Sequence, residues 1–146
     1  MKKEVKNKIH RVSDSLYGVN IYFMIEPDAT KAKELAKKVF DDEVFERLNF
    51  GIPSQVVGVH FRLQGEDDTG DDFICSNFLV WLTRMDYSVA AHEALHTTLQ
   101  VLGERGMKSS QSADEAFCYY LSWLMNFVEE CFTWYREQKK VKRKKK

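Results

Sequence analysis

The sequence of 146 residues has little proline, glycine or cysteine, with two, seven and three of each. So few prolines and glycines exclude collagen-like and low-complexity chains, and a hydrophobic content of 44% excludes intrinsic disorder over most of the length. No apolar run approaches the roughly 20 residues of a membrane-spanning helix, and no signal-peptide pattern follows the basic start. An odd number of cysteines without close pairing indicates free thiols in a reducing compartment. We therefore predict one soluble cytoplasmic domain.

The net charge of zero conceals an uneven distribution, because seven of the 22 basic residues lie among the last eight positions. We interpret residues 1–138 as the single domain and residues 139–146 as a basic, disordered tail. Such a tail can bind nucleic acid or another polyanion, since neutralised phosphates release counterions. The alternative is a solvated, frayed helix end that only keeps the protein soluble.

Hydrophobic periodicity predicts an α+β domain in the order strand, helix, strand, strand, helix, helix. The predicted strands are rich in β-branched and aromatic residues and comprise Val19–Ile25, Gln55–Gln64 and Phe73–Thr83. The helices carry apolar residues at three- and four-residue spacing and run from Asp28 or Thr30 to about Leu48, from Asp86 or Ser88 to about Glu104, and from Ser112 to about Gln138. No internal repeat or inter-domain linker interrupts this order.

The strongest motif is His92-Glu93-Ala94-Leu95-His96, within the second predicted helix. Histidines four residues apart on a helix point the same way, so His92 and His96 can bind one ion. Zinc suits neutral imidazole ligands, and a catalytic zinc site has three protein ligands and a water molecule. Glu93 can be directed at that water as a general base. The motif therefore predicts a Zn²⁺ site with His92 and His96 as ligands and Glu93 as the catalytic residue.

Glu115 is the predicted third ligand, because consecutive helices joined by a short turn can pack antiparallel. A competing interpretation exists for the same carboxylate. Ser112-Ala113-Asp114-Glu115 is a capping-box sequence, in which Glu115 would bond back to the Ser112 amide. Asp114 is the first alternative ligand, and His60 on a predicted strand is the second.

With Glu115 in an Asp-Glu-Ala-Phe context 18 residues after the motif, the sequence resembles the gluzincin branch of zinc metallopeptidases. The stretch from Tyr87 to about Trp134 is also similar to small His-Glu-x-x-His proteins of bacteriophages and prophages. The resemblance implies a minimal zincin-like domain: a small twisted sheet of about three strands with a helix packed on it, an active-site helix and a long C-terminal helix. It also implies a hydrolase that cleaves peptide or isopeptide bonds in a protein or peptide. The backbone of that substrate would lie along Phe78–Thr83.

The sequence departs from the gluzincin pattern after the third ligand. Many gluzincins place an aspartate four residues after the glutamate ligand to orient a histidine, whereas this sequence has Tyr119 there. Tyr119 and Tyr120 are candidates for that orienting role or for stabilising the oxyanion, although aromatic residues at helical spacing more often belong to a core.

The alternative function is a zinc-stabilised, non-catalytic scaffold or interaction protein from a phage structural or accessory gene, with the basic tail contacting a polyanion. Either function implies a bacterial or phage-infected cytoplasm or a virion, and no membrane partner. Away from the motif, we expect His10 to be solvated in a polar N-terminal stretch. Cys118 and Cys131 are expected to be small buried hydrophobic residues.

Overall fold

The computed structural model describes the backbone of residues 2–6, 8–40, 58–63, 77–108 and 113–144, and the side chains of 8–40, 77–108 and 113–141. It confirms the α+β class. In chain order the elements are β1 (Lys2–Lys6), β2 (Ile9–Asp14), β3 (Val19–Ile25), α1 (Ala29–Lys37), β4 (Gly58–Leu63), β5 (Asn77–Leu82), α2 (Tyr87–Glu104) and α3 (Asp114–Lys144).

The five strands form one mixed sheet in the order β1-β2-β3-β5-β4. Strands β3 and β5 are parallel, and every other neighbouring pair is antiparallel. Strands β3, β4 and β5 correspond to the three predicted strands, and the sheet is larger than expected because β1 and β2 were missed. The segment that forms them is mostly charged and polar, and its apolar residues Val5, Ile9 and Val12 are three or four positions apart, so it shows no strand period of two.

Helices cover both faces of the sheet, and the strand period of two separates the two cores. One core lies under α2 and α3 and contains Val12, Ile21, Phe23, Phe78, Val80 and Leu82 from the strands. The other lies under α1 and contains Ile9, Met24, Leu79 and Trp81. Strand β5 contributes to both, so it is buried on both faces as well as paired along both edges.

Side-chain caps begin α1 and α2 at the predicted positions, whereas α1 ends at Lys37, earlier than the predicted end near Leu48, a residue outside the described part of the chain. The Asp28 carboxylate accepts the Thr30 and Lys31 amides at the start of α1. The Asp86 carboxylate does the same for Ser88 and Val89 at the start of α2. At the end of α2, Gly106 has a φ of +78°, its amide donates to the Gly103 carbonyl and the Met107 amide donates to the Leu102 carbonyl. This pattern is a Schellman motif, which ends the helix.

A line of polar side chains crosses β2, β3 and β5. The Asn20 Oδ1 atom accepts from Arg11 Nη2 at 2.9 Å and from Ser13 Oγ at 2.7 Å, and Asn20 Nδ2 donates to Asn77 Oδ1 at 2.9 Å. Asn20 and Asn77 are direct neighbours in the parallel pairing. These bonds fix the register, since a one-residue slip would turn each side chain to the other face.

Helices α2 and α3 pack antiparallel, as predicted from their short connection. The ring of Tyr87, at the start of α2, lies 4.7 Å from the ring of Phe132 between centroids. At the other end of α2, the charge of Arg105 acts on Tyr120, much earlier in α3. The structure differs from the prediction at the C-terminus, because α3 continues to Lys144, into the predicted disordered tail. Cationic side chains favour the C-terminal end of a helix, whose carbonyl groups carry partial negative charge.

The expectation that His10 is solvated was wrong. His10 lies on β2, is 6% exposed and packs edge-to-face on Trp134 with 4.9 Å between centroids. Burial lowers its pKa to about 4. Its Nε2 atom has no hydrogen-bond partner among the described residues.

The predicted burial of the two cysteines on α3 is correct for one of them and wrong for the other. Cys131 is buried as expected, whereas Cys118 is exposed on α3. Cys75 lies outside the described residues. Among the described helices, none combines the length and the apolar character needed to cross a membrane.

Candidate metal centre

Helix α2 has a buried face and an exposed face. Ala90, Ala94, Thr97 and Val101 recur every three or four residues and are buried against the sheet and α3. His92 and His96 lie on the opposite face and are exposed, together with Leu95 and Leu99 at 42% and 43% exposure. The motif therefore lies on a helix whose buried face packs on the sheet and α3 and whose exposed face presents both imidazoles to solvent.

The two imidazoles converge. The Nε2 atoms of His92 and His96 are 3.0 Å apart, and the rings meet edge-to-face with 4.6 Å between centroids. Two zinc–nitrogen bonds of 2.0–2.1 Å at a tetrahedral angle separate the nitrogens by about 3.3 Å. The pair thus fits a shared zinc ion with a shift of only a few tenths of an ångström.

Glu93 follows the first histidine and is buried, with 7% of its surface exposed. Burial raises the pKa of its carboxyl group, and the nearby charges of His92 and His96 partly offset that rise. A carboxyl group that is desolvated beside two imidazoles is the arrangement expected of a general base. Thr97 Oγ1 donates to the Glu93 carbonyl at 3.0 Å, which satisfies the hydroxyl of the fully buried Thr97.

Glu115 is exposed on the first turn of α3, and the structure does not bring it to the histidine pair. The contact between Tyr87 and Phe132 sets the register of the two antiparallel helices. His96 lies nine residues after Tyr87, whereas Glu115 lies 17 before Phe132, so Glu115 is about 12 Å further along the bundle. Within the described side chains, no three His, Cys, Asp or Glu residues are close enough to hold a metal ion. The assignment of Glu115 as third ligand stays a prediction.

The alternatives to Glu115 are placed as follows. Asp114 is exposed on the same turn of α3. His60 lies on β4, where it pairs with Val80, a residue that packs against Ala90 and Ala94 of α2. The His60 side chain and the capping-box residue Ser112 lie outside the described residues.

Tyr119 and Tyr120 do not lie at the histidine pair. Tyr119 is 73% exposed, and Tyr120 is buried against Tyr17 and Trp123. The charge of Arg105 reaches the Tyr120 hydroxyl, and Arg105 follows His96 by nine residues, or about 13 Å along α2. The oxyanion role predicted for these tyrosines therefore has no support in their placement.

The predicted substrate strand also differs from the structure. Phe78–Thr83 corresponds to β5, whose two edges are already paired with β3 and β4. No backbone donors remain there for an extended peptide. Strand β4 is the outer strand of the described sheet on this side, and it lies beside α2. The sequence pattern predicted both strands but not their order in the sheet.

Comparison of the chain with models of protein families, with curated proteins and with solved structures finds no match. The function is therefore inferred from the side chains of the site.

Proposed function

We propose that this protein is a zinc-dependent peptidase of the gluzincin type, which hydrolyses a peptide or isopeptide bond. The observation that carries the proposal is the 3.0 Å approach of the His92 and His96 Nε2 atoms beside the buried carboxyl group of Glu93. These histidines would hold the zinc ion, which when bound polarises the scissile carbonyl and lowers the pKa of water.

Glu93 would act as the general base. Its carboxylate accepts a proton from the attacking water, and the resulting acid passes that proton to the leaving amine. Burial raises the pKa of Glu93, which supports the second transfer because a carboxylic acid with an ordinary pKa keeps its proton only briefly near neutral pH.

Two features of the surface support an extended, partly apolar substrate. The outer edge of β4 has no partner strand within the described residues, so it can pair with a peptide backbone. Leu95 and Leu99 alternate with the two histidines on one helix face and remain exposed. A peptide with an apolar side chain next to the scissile bond would cover both leucines.

Two histidines are one ligand short of a catalytic zinc site. Glu115 remains the proposed third ligand, and it requires the first turn of α3 to approach the histidine pair. Glu115→Gln is the sharpest test, because glutamine serves a capping box nearly as well as glutamate but is a poor zinc ligand. We expect at least a tenfold loss of zinc affinity. Retained affinity would transfer the assignment to Asp114 or His60, each tested by its own alanine variant.

The test of the function combines metal analysis with peptide hydrolysis. Protein purified without added metal should contain zinc, and His96→Ala should lose it. Glu93→Gln should keep the zinc and lose activity on a mixed peptide library by several orders of magnitude. Glu137→Gln, an exposed change on α3, is the matched control. Absence of zinc from the wild type, even after incubation with it, would reject the proposal. Bound zinc with no hydrolysis of any peptide would instead favour the non-catalytic scaffold.

A further inference from the structure

A second site lies between the turn that joins β2 to β3 and the first turns of α3. This pocket has a volume of about 300 Å³, and Asp14, Tyr17, Tyr119, Tyr120 and Trp123 contribute its polar and aromatic walls. Its size is at the lower end of the range for small-molecule pockets. It is distinct from the histidine pair, which lies more than two helical turns away along α2.

The aromatic walls meet at steep angles. The ring of Tyr120 lies 5.6 Å from that of Tyr17 at 63°, and 5.1 Å from that of Trp123 at 54°. Tilted and edge-to-face contacts of this kind pack the three rings together at one wall of the pocket. The faces of tyrosine and tryptophan carry partial negative charge, so such a pocket attracts cations.

Asp14 adds a full negative charge to the same pocket. Its Oδ1 atom accepts the Leu16 amide at 2.8 Å, which holds the carboxylate in place. Burial is the main reason why the pKa of Tyr120 is raised, and the charge of Asp14 raises it further. The carboxylate therefore lies on the side of the pocket where the Tyr120 hydroxyl is found.

The hydroxyl of Tyr120 is the second polar group. Tyr120 is 7% exposed, and its oxygen lies beneath the surface of the pocket, where it interacts with the Asp14 side chain. The hydroxyl therefore helps to hold the Asp14 carboxylate at the pocket.

Arg105 is the cation nearest to this arrangement. Its Nη2 atom donates to the Tyr17 carbonyl, so the guanidinium is held by backbone. Its charge lowers the pKa of Tyr120, but by less than Asp14 raises it.

We propose that this pocket binds an alkylammonium group that keeps at least one N–H, of the kind that ends a lysine side chain. The ammonium N–H groups would donate to the Asp14 carboxylate, which the Leu16 amide holds in place beside Tyr120. The alkyl chain would lie against Tyr17 and Trp123. A tetraalkylammonium ion lacks the donor, and a neutral alcohol lacks the charge, so both should bind less tightly.

The test is a calorimetric titration of the full-length protein with n-butylammonium chloride at constant ionic strength. We expect a dissociation constant on the order of 1 mM, given the few non-hydrogen atoms of the ion. Asp14→Asn and Tyr120→Phe should each weaken binding at least fivefold. Asp28→Asn is the matched control, because it removes the same charge at the α1 cap, where asparagine also caps well. It should bind like the wild type.

Competing ligands decide between chemistries. Tetramethylammonium and 1-butanol should each bind at least fivefold more weakly than butylammonium. Equal binding of 1-butanol, unchanged affinity in Asp14→Asn, or no binding of butylammonium would overturn the proposal. Equal binding of tetramethylammonium would overturn the role of the N–H donors. N-acetyl-lysine methylamide distinguishes the source of the ligand, since binding as tight as that of butylammonium identifies a lysine side chain in a peptide, and weaker binding identifies a free amine.

Discussion

The hydroxyl of Tyr135 accepts the backbone N–H of Ile25 at 3.0 Å. It donates at the same time to the carbonyl oxygen of Lys8, the residue that continues the register of β2 opposite Ile25. Lys8 has a φ of +68°, so the backbone turns away there and the two strands can no longer bond directly. A side chain of α3 thus completes the sheet where its own ladder ends.

Replacing Tyr135 with phenylalanine should therefore destabilise the protein by more than the removal of a surface hydroxyl does. Both backbone groups lose their partner, and an unsatisfied buried group costs about 1–3 kcal/mol. Chemical denaturation of Tyr135→Phe measures the change in the free energy of unfolding. Tyr119→Phe, which removes a hydroxyl from a ring that is 73% exposed, should change it by less than about 0.5 kcal/mol. Equal effects of the two substitutions would contradict the bridging role.

His10 should make stability depend on pH. Burial lowers its pKa from 6.5 to about 4, so between these values the unfolded chain binds a proton that the native protein does not. The contribution of uncharged, buried His10 to the free energy of unfolding is fully present above pH 6.5 and is lost as the pH falls toward 4. His10→Phe keeps an aromatic ring against Trp134 and should lose less thermal stability between pH 7 and pH 4.5. If the melting temperature of His10→Phe falls as much between pH 7 and pH 4.5 as that of the wild type, His10 is not the cause.

Glu93 should change the pH dependence of stability in the opposite direction to His10. The native protein holds the Glu93 proton to a higher pH than the unfolded chain, whose value is near 4.5. Stability therefore falls as the pH rises from 4.5 to the raised native pKa, and it stays lower above it. Glutamine cannot ionise, so metal-free Glu93→Gln should melt at a higher temperature than the wild type at pH 7, with a smaller gain at pH 4.5. Glu137→Gln should show no such gain.

The basic end of α3 should give salt-dependent binding to nucleic acid. Replacing the seven lysines and arginines of residues 139–146 with glutamine keeps the length and removes the charge. Affinity for single-stranded DNA should then fall, and the slope of log affinity against log salt should decrease by roughly 0.7 for each phosphate that the segment no longer neutralises. The same affinity and slope in both proteins would remove any role of this segment in binding polyanions.

The sequence predicted the local features of the fold well. Asp86 and the pattern of Ala90, Ala94 and Val101 are sufficient to place α2, because caps and helical periodicity depend on neighbours in sequence. The convergence of His92 and His96 follows from the same geometry. Apart from β1 and β2, what the sequence did not predict depends on distant parts of the chain.

Three such features illustrate the limit. The burial of His10 results from α3 packing over β2, and nothing in its neighbours indicates that contact. The distance of Glu115 from His96 results from the register of two helices, which is set by Tyr87 and Phe132 rather than by the length of the loop. The pocket around Asp14 joins a turn to a helix about 100 residues away, so no motif spacing reveals it.

The parallel pairing of β3 with β5 has a consequence for how the chain folds. Asn20 and Asn77 are neighbours in the sheet but lie 57 residues apart in sequence. The pairings of β2 with β3 and of β4 with β5, and the packing of α2 on α3, join elements that are consecutive in the chain, whereas α3 packs on the distant β2 and β3 across the same division. Closing the long loop reduces chain entropy before any contact between β3 and β5 compensates it. We expect two locally formed halves whose docking along β3 and β5 limits the folding rate.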